Sequence, residues 1–164
     1  MEYQHLCHGF GPVYDARSRV LILGSFPSVK SREENFYYGH AQNRFWPLIA
    51  RLLEADPPQS TEDKRALVLS RGIALWDVIE ECDIIGSADS SIKNAVPTDI
   101  RRILGAADIR GVYCNGALAH RLYMRHIYPL CGLEAVKLPS TSPANAAWPF
   151  ERLYAAWRQI LEKL

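Results

Sequence analysis

The stretch VLILGSFPS, residues 20–28, restricts the fold of this chain more than any other segment. Four consecutive apolar residues, Val20 to Leu23, stop at Gly24, and Pro27 follows closely. A strand with one buried face alternates apolar and polar residues, whereas a strand covered on both faces reads as an unbroken apolar run. The run therefore predicts a central strand of a parallel sheet. Parallel neighbours cannot be joined by a tight turn, so helical crossovers should follow.

The remaining sequence alternates as that requires. NRFWPLIARLLEA carries apolar residues at Phe45, Leu48, Ile49, Leu52 and Leu53, a helical period, with Asn43 suited to cap its start. DPPQSTEDK reads as a polar, proline-broken loop, and RALVLSRGIALWDVIEEC mixes helical and strand signals whose boundaries stay open. VPTDIRRILGA predicts a short helix, capped by Thr98 or Asp99 and left at Gly105. RGVYCNG reads as a short strand, ALAHRLYMRHIY as a helix closed by Pro129, and LEAVKLPSTSPANA as a last strand breaking into a Ser/Pro loop. PFERLYAAWRQILEKL closes the chain as an amphipathic helix on Leu153, Ala156, Trp157 and Ile160. The four tryptophans are assigned to the core. The sum is an α/β fold, a three-layer αβα domain with a short central parallel sheet flanked by helices.

At 164 residues and 48% hydrophobic content, the chain predicts one domain spanning 1–164 with enough apolar material for a core. It shows no basic start followed by an apolar run, and no stretch nears the roughly 18 apolar residues of a membrane helix. A monomeric cytoplasmic protein away from membranes is expected. Cys7, Cys82, Cys114 and Cys131 are scattered without zinc or iron-sulfur spacing, so reduced thiols and no metal are expected. The net charge of +1 carries no general nucleic-acid signature, so any DNA site must be local.

In open parallel sheets, ligands bind beyond the carboxyl ends of the strands, so GSFPS, CNG and LPSTSPANA should converge on one rim. No GxxxxGK[ST] or GxGxxG follows the first strand, which argues against a nucleotide cofactor. GxSxG is absent too, and with no Ser/His/Asp set standing out, a small-molecule hydrolase has little support.

GSFPS followed by FYYGHAQNRFW, from Gly24 to Trp46, resembles the first motif region of mismatch-specific uracil-DNA and thymine-DNA glycosylases, with its GINPG-like loop and HPxNRFW-like segment. NRFW, Asn43 to Trp46, is identical, while Ala41 replaces the usual proline. LPSTSPANA falls where the uracil-DNA glycosylase superfamily has its second motif. Matching Pro139 and Ser140 to that motif places Leu138 at its usual His or Asn, and a two-residue shift matches Ser142 and Pro143 instead; both registers stay open. Phe26 occupies the position where first-motif catalysts carry Asp or Asn, and a phenyl ring can neither donate nor accept for water. That departure resembles the hypoxanthine-DNA glycosylase branch, which relies on the NRFW asparagine.

The resemblance implies a monofunctional DNA glycosylase acting on deaminated bases in DNA, hypoxanthine first, with neither metal nor cofactor. Such an enzyme extrudes the nucleotide and grips the base by stacking and edge hydrogen bonds. It implies Asn43 as the catalytic positioning group and Tyr38 as the stacking ring, with Phe26, Phe36 and Tyr37 as further walls. Gly24, Ser25, Pro27 and Ser28 would offer the loop's amides and hydroxyls to the base edge. His40 is a candidate proton donor. Ser140, Thr141, Ser142, Asn145 and Arg44 are candidate DNA contacts, alongside Lys30, Arg32 and Lys137. Each residue also has an ordinary use: Asn43 as a helix cap, Tyr38 and Phe36 as core, Arg44 as an internal partner, and Asp77, Asp83, Asp89 and Asp99 as caps or turns. Two other readings compete, a uracil- or xanthine-DNA glycosylase of the same fold and a lesion-binding protein without catalysis.

Overall fold

A computed structural model describes residues 2–164. Chain order begins with β1 (Gln4–Cys7), β2 (Val20–Gly24), α1 (Val29–Glu34), α2 (Phe45–Leu52) and α3 (Thr61–Ser70). It continues through β3 (Ile73–Asp77), β4 (Ile79–Ile84), β5 (Lys93–Pro97), α4 (Arg101–Leu104), β6 (Gly111–Asn115) and α5 (Ala117–Leu122). The last elements are α6 (Tyr128–Cys131), β7 (Val136–Leu138) and α7 (Phe150–Trp157), which runs on as a 3₁₀ helix over Arg158–Lys163.

Four strands form one parallel sheet in the order β3-β2-β6-β7. Every residue of β2 and β3 is buried, as the unbroken apolar run predicts for strands covered on both faces. The α/β three-layer expectation holds. α2 turns Phe45, Trp46, Leu48, Ile49 and Leu52 inward, and Phe45 meets the fully buried Trp157 of α7 edge to face at 6.0 Å. Pro47 lies in the first turn of α2, where its missing N–H removes no helical bond.

The sequence reading needs correction in four places. First, β1, β4 and β5 build a second, antiparallel sheet beside the parallel one. Its strands are half-exposed, so they lack the run that betrays β2. Second, α3 starts at Thr61, inside the presumed loop, because Ser60 accepts from the Asp63 amide as an N-cap. Third, Val96 and Pro97 belong to β5, so α4 begins only at Arg101; the Thr98 hydroxyl donates to the Asp77 carbonyl rather than capping, and Asp99 accepts from the Arg101 amide. Fourth, Pro129 does not end its helix. The chain widens into a π-helix over Tyr123–Ile127, where the Tyr128 amide reaches the Tyr123 carbonyl five residues back, and the proline falls at the start of the next turn. Gly132, at φ 70°, supplies the left-handed exit.

Candidate active site

The carboxyl ends of β2, β3 and β6 open onto one cavity of about 430 Å³. Its walls are the loop after β2, the Tyr38 to Asn43 segment, Asn115 at the end of β6, and Ser140 to Ser142 after β7. Their convergence follows from parallel topology, which brings distant loops to one rim. Gly116 shows how close they come. Its φ is 102°, and a Cβ there would stand 3.2 Å from that of Ser140.

A chain of hydrogen bonds links three of these segments. The Thr141 amide donates to Asn115 Oδ1 at 3.0 Å, and Asn115 Nδ2 donates to the Thr141 hydroxyl at 3.0 Å. That hydroxyl donates in turn to Asn43 Oδ1 at 2.8 Å, while the Phe45 amide donates to the same oxygen at 2.9 Å. Backbone N–H groups can only donate, so both carboxamide orientations are determined. Asn43 Oδ1 has both lone pairs engaged, and only its Nδ2 hydrogens face outward. Thr141 is fully buried, and its carbonyl accepts from the Arg44 amide at 3.1 Å, tying the two motif regions together.

At the cavity floor lies a pair that the sequence reading did not single out. Asp77 ends β3, is 3% exposed, and accepts from His8 Nε2 at 2.8 Å through Oδ2. Burial lowers the His8 pKa, but the hydrogen bond and charge of Asp77 outweigh it, so the net shift is upward. Among the described residues Asp77 Oδ1 accepts no hydrogen bond. Gly24, paired with Asp77 across the sheet, makes room for it, since a Cβ there would stand 2.5 Å from Oδ1 and 3.2 Å from the Tyr38 hydroxyl. That hydroxyl is buried with no partner in hydrogen-bonding geometry among the described residues, and burial, then the Asp77 charge, raises its pKa far beyond the usual tyrosine range against the opposing pull of the Asn115 side chain. Tyr38 holds a left-handed backbone, φ 56°, with its ring laid on Phe45 at 4.0 Å and 21°. Asp89 closes the rim; desolvation and the Asp77 charge raise its carboxyl pKa against the pull of the Ser25 hydroxyl, which donates to it at 3.4 Å.

The sequence model of the uracil DNA glycosylase superfamily matches residues 11–164. The chain belongs to that superfamily. A hypoxanthine DNA glycosylase of Methanosarcina acetivorans is 32% identical over 141 residues, 84% of this chain and 87% of that protein. One from Methanosarcina barkeri is 38% identical over 87 residues, 52% of this chain and 55% of that protein, so the match spans little more than half of the latter relative. The solution NMR structure of an M. acetivorans protein, provisionally described as a uracil DNA glycosylase, superposes with a TM-score of 0.77 at 31% identity, covering 94% of this chain and 97% of that one.

Within this superfamily member, Gly24, Ser25, Phe26, Pro27, Ser28, Tyr38, His40, Asn43, Ser140, Thr141 and Ser142 all line the cavity. Phe36 does not; it is 2% exposed and stacked on Trp46, a core residue. Asn43 is not the formal cap of α2, which is Arg44, but its Oδ1 still serves the Phe45 amide. His40 Nδ1 accepts from the Gln42 amide at 3.0 Å. Arg44 turns inward, its guanidinium holding the carbonyls of Asn145 and Trp148, and Asn145 itself donates to the Ser140 carbonyl. Arg32 likewise holds the Pro27 and Gly86 carbonyls, and Lys30 pairs with Glu34. Lys137 is exposed beside a second depression shared with Asn145 and Trp148.

Tyr37, expected as a wall, lines the cavity; sequence reasoning placed Asn115 at the rim without giving it a role and nominated neither Asp77 nor Asp89. A usable signal existed for Asp77. GIALWD is a second apolar run that stops at a charged residue, the signature of a strand's carboxyl end at a ligand rim.

Proposed function

We propose that this chain is a monofunctional DNA glycosylase that hydrolyses the N-glycosidic bond of deaminated bases, hypoxanthine first. The observation that carries this reading is the polarity of the cavity. Asn43 Nδ2 and the second hydrogen of Asn115 Nδ2 present donors, and Asp77 Oδ1 presents an acceptor. The edge of hypoxanthine offers the complement, with O6 and N7 as acceptors and N1–H as donor. Adenine keeps the N7 acceptor but reverses positions 6 and 1, so its amino group meets a donor and its bare N1 meets a carboxylate, a mismatch that leaves buried polar groups unpaired.

In this mechanism the flipped base stacks on Tyr38 and seats its edge between Asp77 and the two asparagines. As the C1′–N9 bond breaks, both bonding electrons leave with the base, and Asn43 steadies the growing negative charge by donating from Nδ2. Water oxygen bonds C1′ from the open side, and its proton passes to solvent. The Asn43 oxygen is already doubly engaged, so Asn43 acts on the leaving base rather than on the water. Lys137 and the Ser140 to Ser142 loop fit phosphates flanking the lesion. Uracil shares the same pattern, with N3–H between two carbonyls, so it is the second reading and pocket shape decides the preference.

Duplexes carrying one hypoxanthine, uracil, xanthine or adenine, incubated with the chain in EDTA and cleaved with alkali, test the reading. Wild type should release hypoxanthine, Asn43→Ala should lose about 10²–10³ in rate, and Asp77→Asn about 10- to 100-fold. Lesion binding without release of any base would instead make the protein a lesion-binding module.

A further inference from the structure

We propose that His5, Cys7 and Glu81 form a binding site for one divalent cation, zinc by its donor set, on the outer face of the antiparallel sheet. The sequence hides this set because its members lie on two strands. β1 pairs with β4 so that His5 stands opposite Asp83 and Cys7 opposite Glu81. Residues two apart on a strand share a face, so all four side chains project from the same side, while Leu6 and Cys82 turn inward. The ligand atoms of His5, Cys7 and Glu81 lie within 4.8 Å of one another. Zinc bonds of about 2.0–2.3 Å at tetrahedral angles separate ligand atoms by about 3.4 Å, so side-chain rotation closes the remaining gap.

Three further observations support the site. His5 Nδ1 lies 2.8 Å from Asp83 Oδ1, the arrangement in which a carboxylate orients a metal-binding imidazole and leaves Nε2 for the ion. Asp83 is itself held, since Asn94 Nδ2 donates to its other oxygen at 2.7 Å. The Cys7 thiol stands 3.6 Å from Glu81 Oε2, so one ion can take both groups. A bound cation would hold thiolate and carboxylate together, with release of the thiol proton. The nearby Lys93 ammonium sits 3.9 Å from the Tyr3 ring centre. An N, S, O donor set with water as fourth ligand suits zinc better than magnesium or calcium, which prefer oxygen alone.

The site also adjoins the cavity floor. Cys7 precedes His8, whose imidazole holds Asp77, and the His8 amide donates to the Glu80 carbonyl beside Glu81. A bound ion would clasp the edge strand β1 to β4 and steady that pair without touching the reacting atoms, so base release should persist in EDTA.

Untagged protein, stripped with chelator and reduced, would be titrated with zinc against a chromophoric chelator and separately with cobalt(II). Wild type should bind one metal per chain, show cobalt-thiolate charge-transfer absorption, and gain thermal stability with zinc. Cys7→Ser should lose that absorption and weaken zinc binding at least tenfold, His5→Ala should weaken it comparably, and Cys131→Ser should behave as wild type. Absence of saturable one-to-one binding, or an absorption band that survives Cys7→Ser, would overturn the proposal.

Discussion

Replacing Thr141 with Val separates what this residue contributes by shape from what it contributes by its hydroxyl. The substitution keeps the β-branch in a fully buried site but removes both links that run from Asn115 to Asn43. Two hydrogen bonds at a net 0.5–1.5 kcal/mol each put the loss at about 2 kcal/mol, roughly 4–8 °C in Tm for a chain of this size. Asn43 Oδ1 would then keep only the Phe45 amide, and its carboxamide could swing away from the base. A misplaced positioning group costs up to about 10²-fold, so single-turnover release of hypoxanthine should fall 10- to 100-fold. Thr141→Ser is the counterpart: it loses a buried methyl, about 1 kcal/mol, but retains the hydroxyl and should keep its rate within about threefold. Paired urea melts and single-turnover assays would decide it. If Thr141→Val excises as fast as Thr141→Ser, the hydrogen-bond chain does not orient Asn43 and the reasoning fails.

Gly24→Ala places a Cβ against Asp77 Oδ1 and the Tyr38 hydroxyl, so excision should drop at least tenfold for about 1–3 kcal/mol of stability, read by single-turnover kinetics and thermal melting. The elevated His8 pKa means that its pairing with Asp77 contributes fully below about pH 6.5 and fades as pH rises through the folded value. Urea melts from pH 5.5 to 8.5 should show wild-type stability falling relative to His8→Gln by about 1.4 kcal/mol per unit of pKa elevation, and a flat or rising difference would contradict the pair. Because Arg44 is committed to the Asn145 and Trp148 carbonyls, Arg44→Met should weaken lesion binding without changing its salt dependence. Lys137→Met should lower the slope of log K against log salt by about 0.9, as loss of one phosphate contact requires.

The sequence alone was enough for the parallel core and the first motif region. An unbroken apolar run has few ways to be buried, and NRFW opens a helix whose period is plain. Both depend on neighbours in the chain. The antiparallel sheet was not legible, because half-exposed strands such as QHLC gain their identity only from the partners they pair with. The cavity floor was equally hidden. Asp77 reads as one acid among several until β3 lies beside β2 and His8 arrives from 69 residues away. Asn115 and Thr141 look like ordinary turn residues until parallel packing brings the ends of β6 and β7 together. Tyr38 and Phe36 are two residues apart in one aromatic cluster, yet a left-handed backbone at Tyr38 sends its ring to the cavity while Phe36 stacks in the core. Local pattern determined the elements of the parallel core and which segments meet the rim; tertiary packing decided which polar atoms there remain unpaired, because hydrogen-bond saturation depends on contacts that no local stretch of sequence contains.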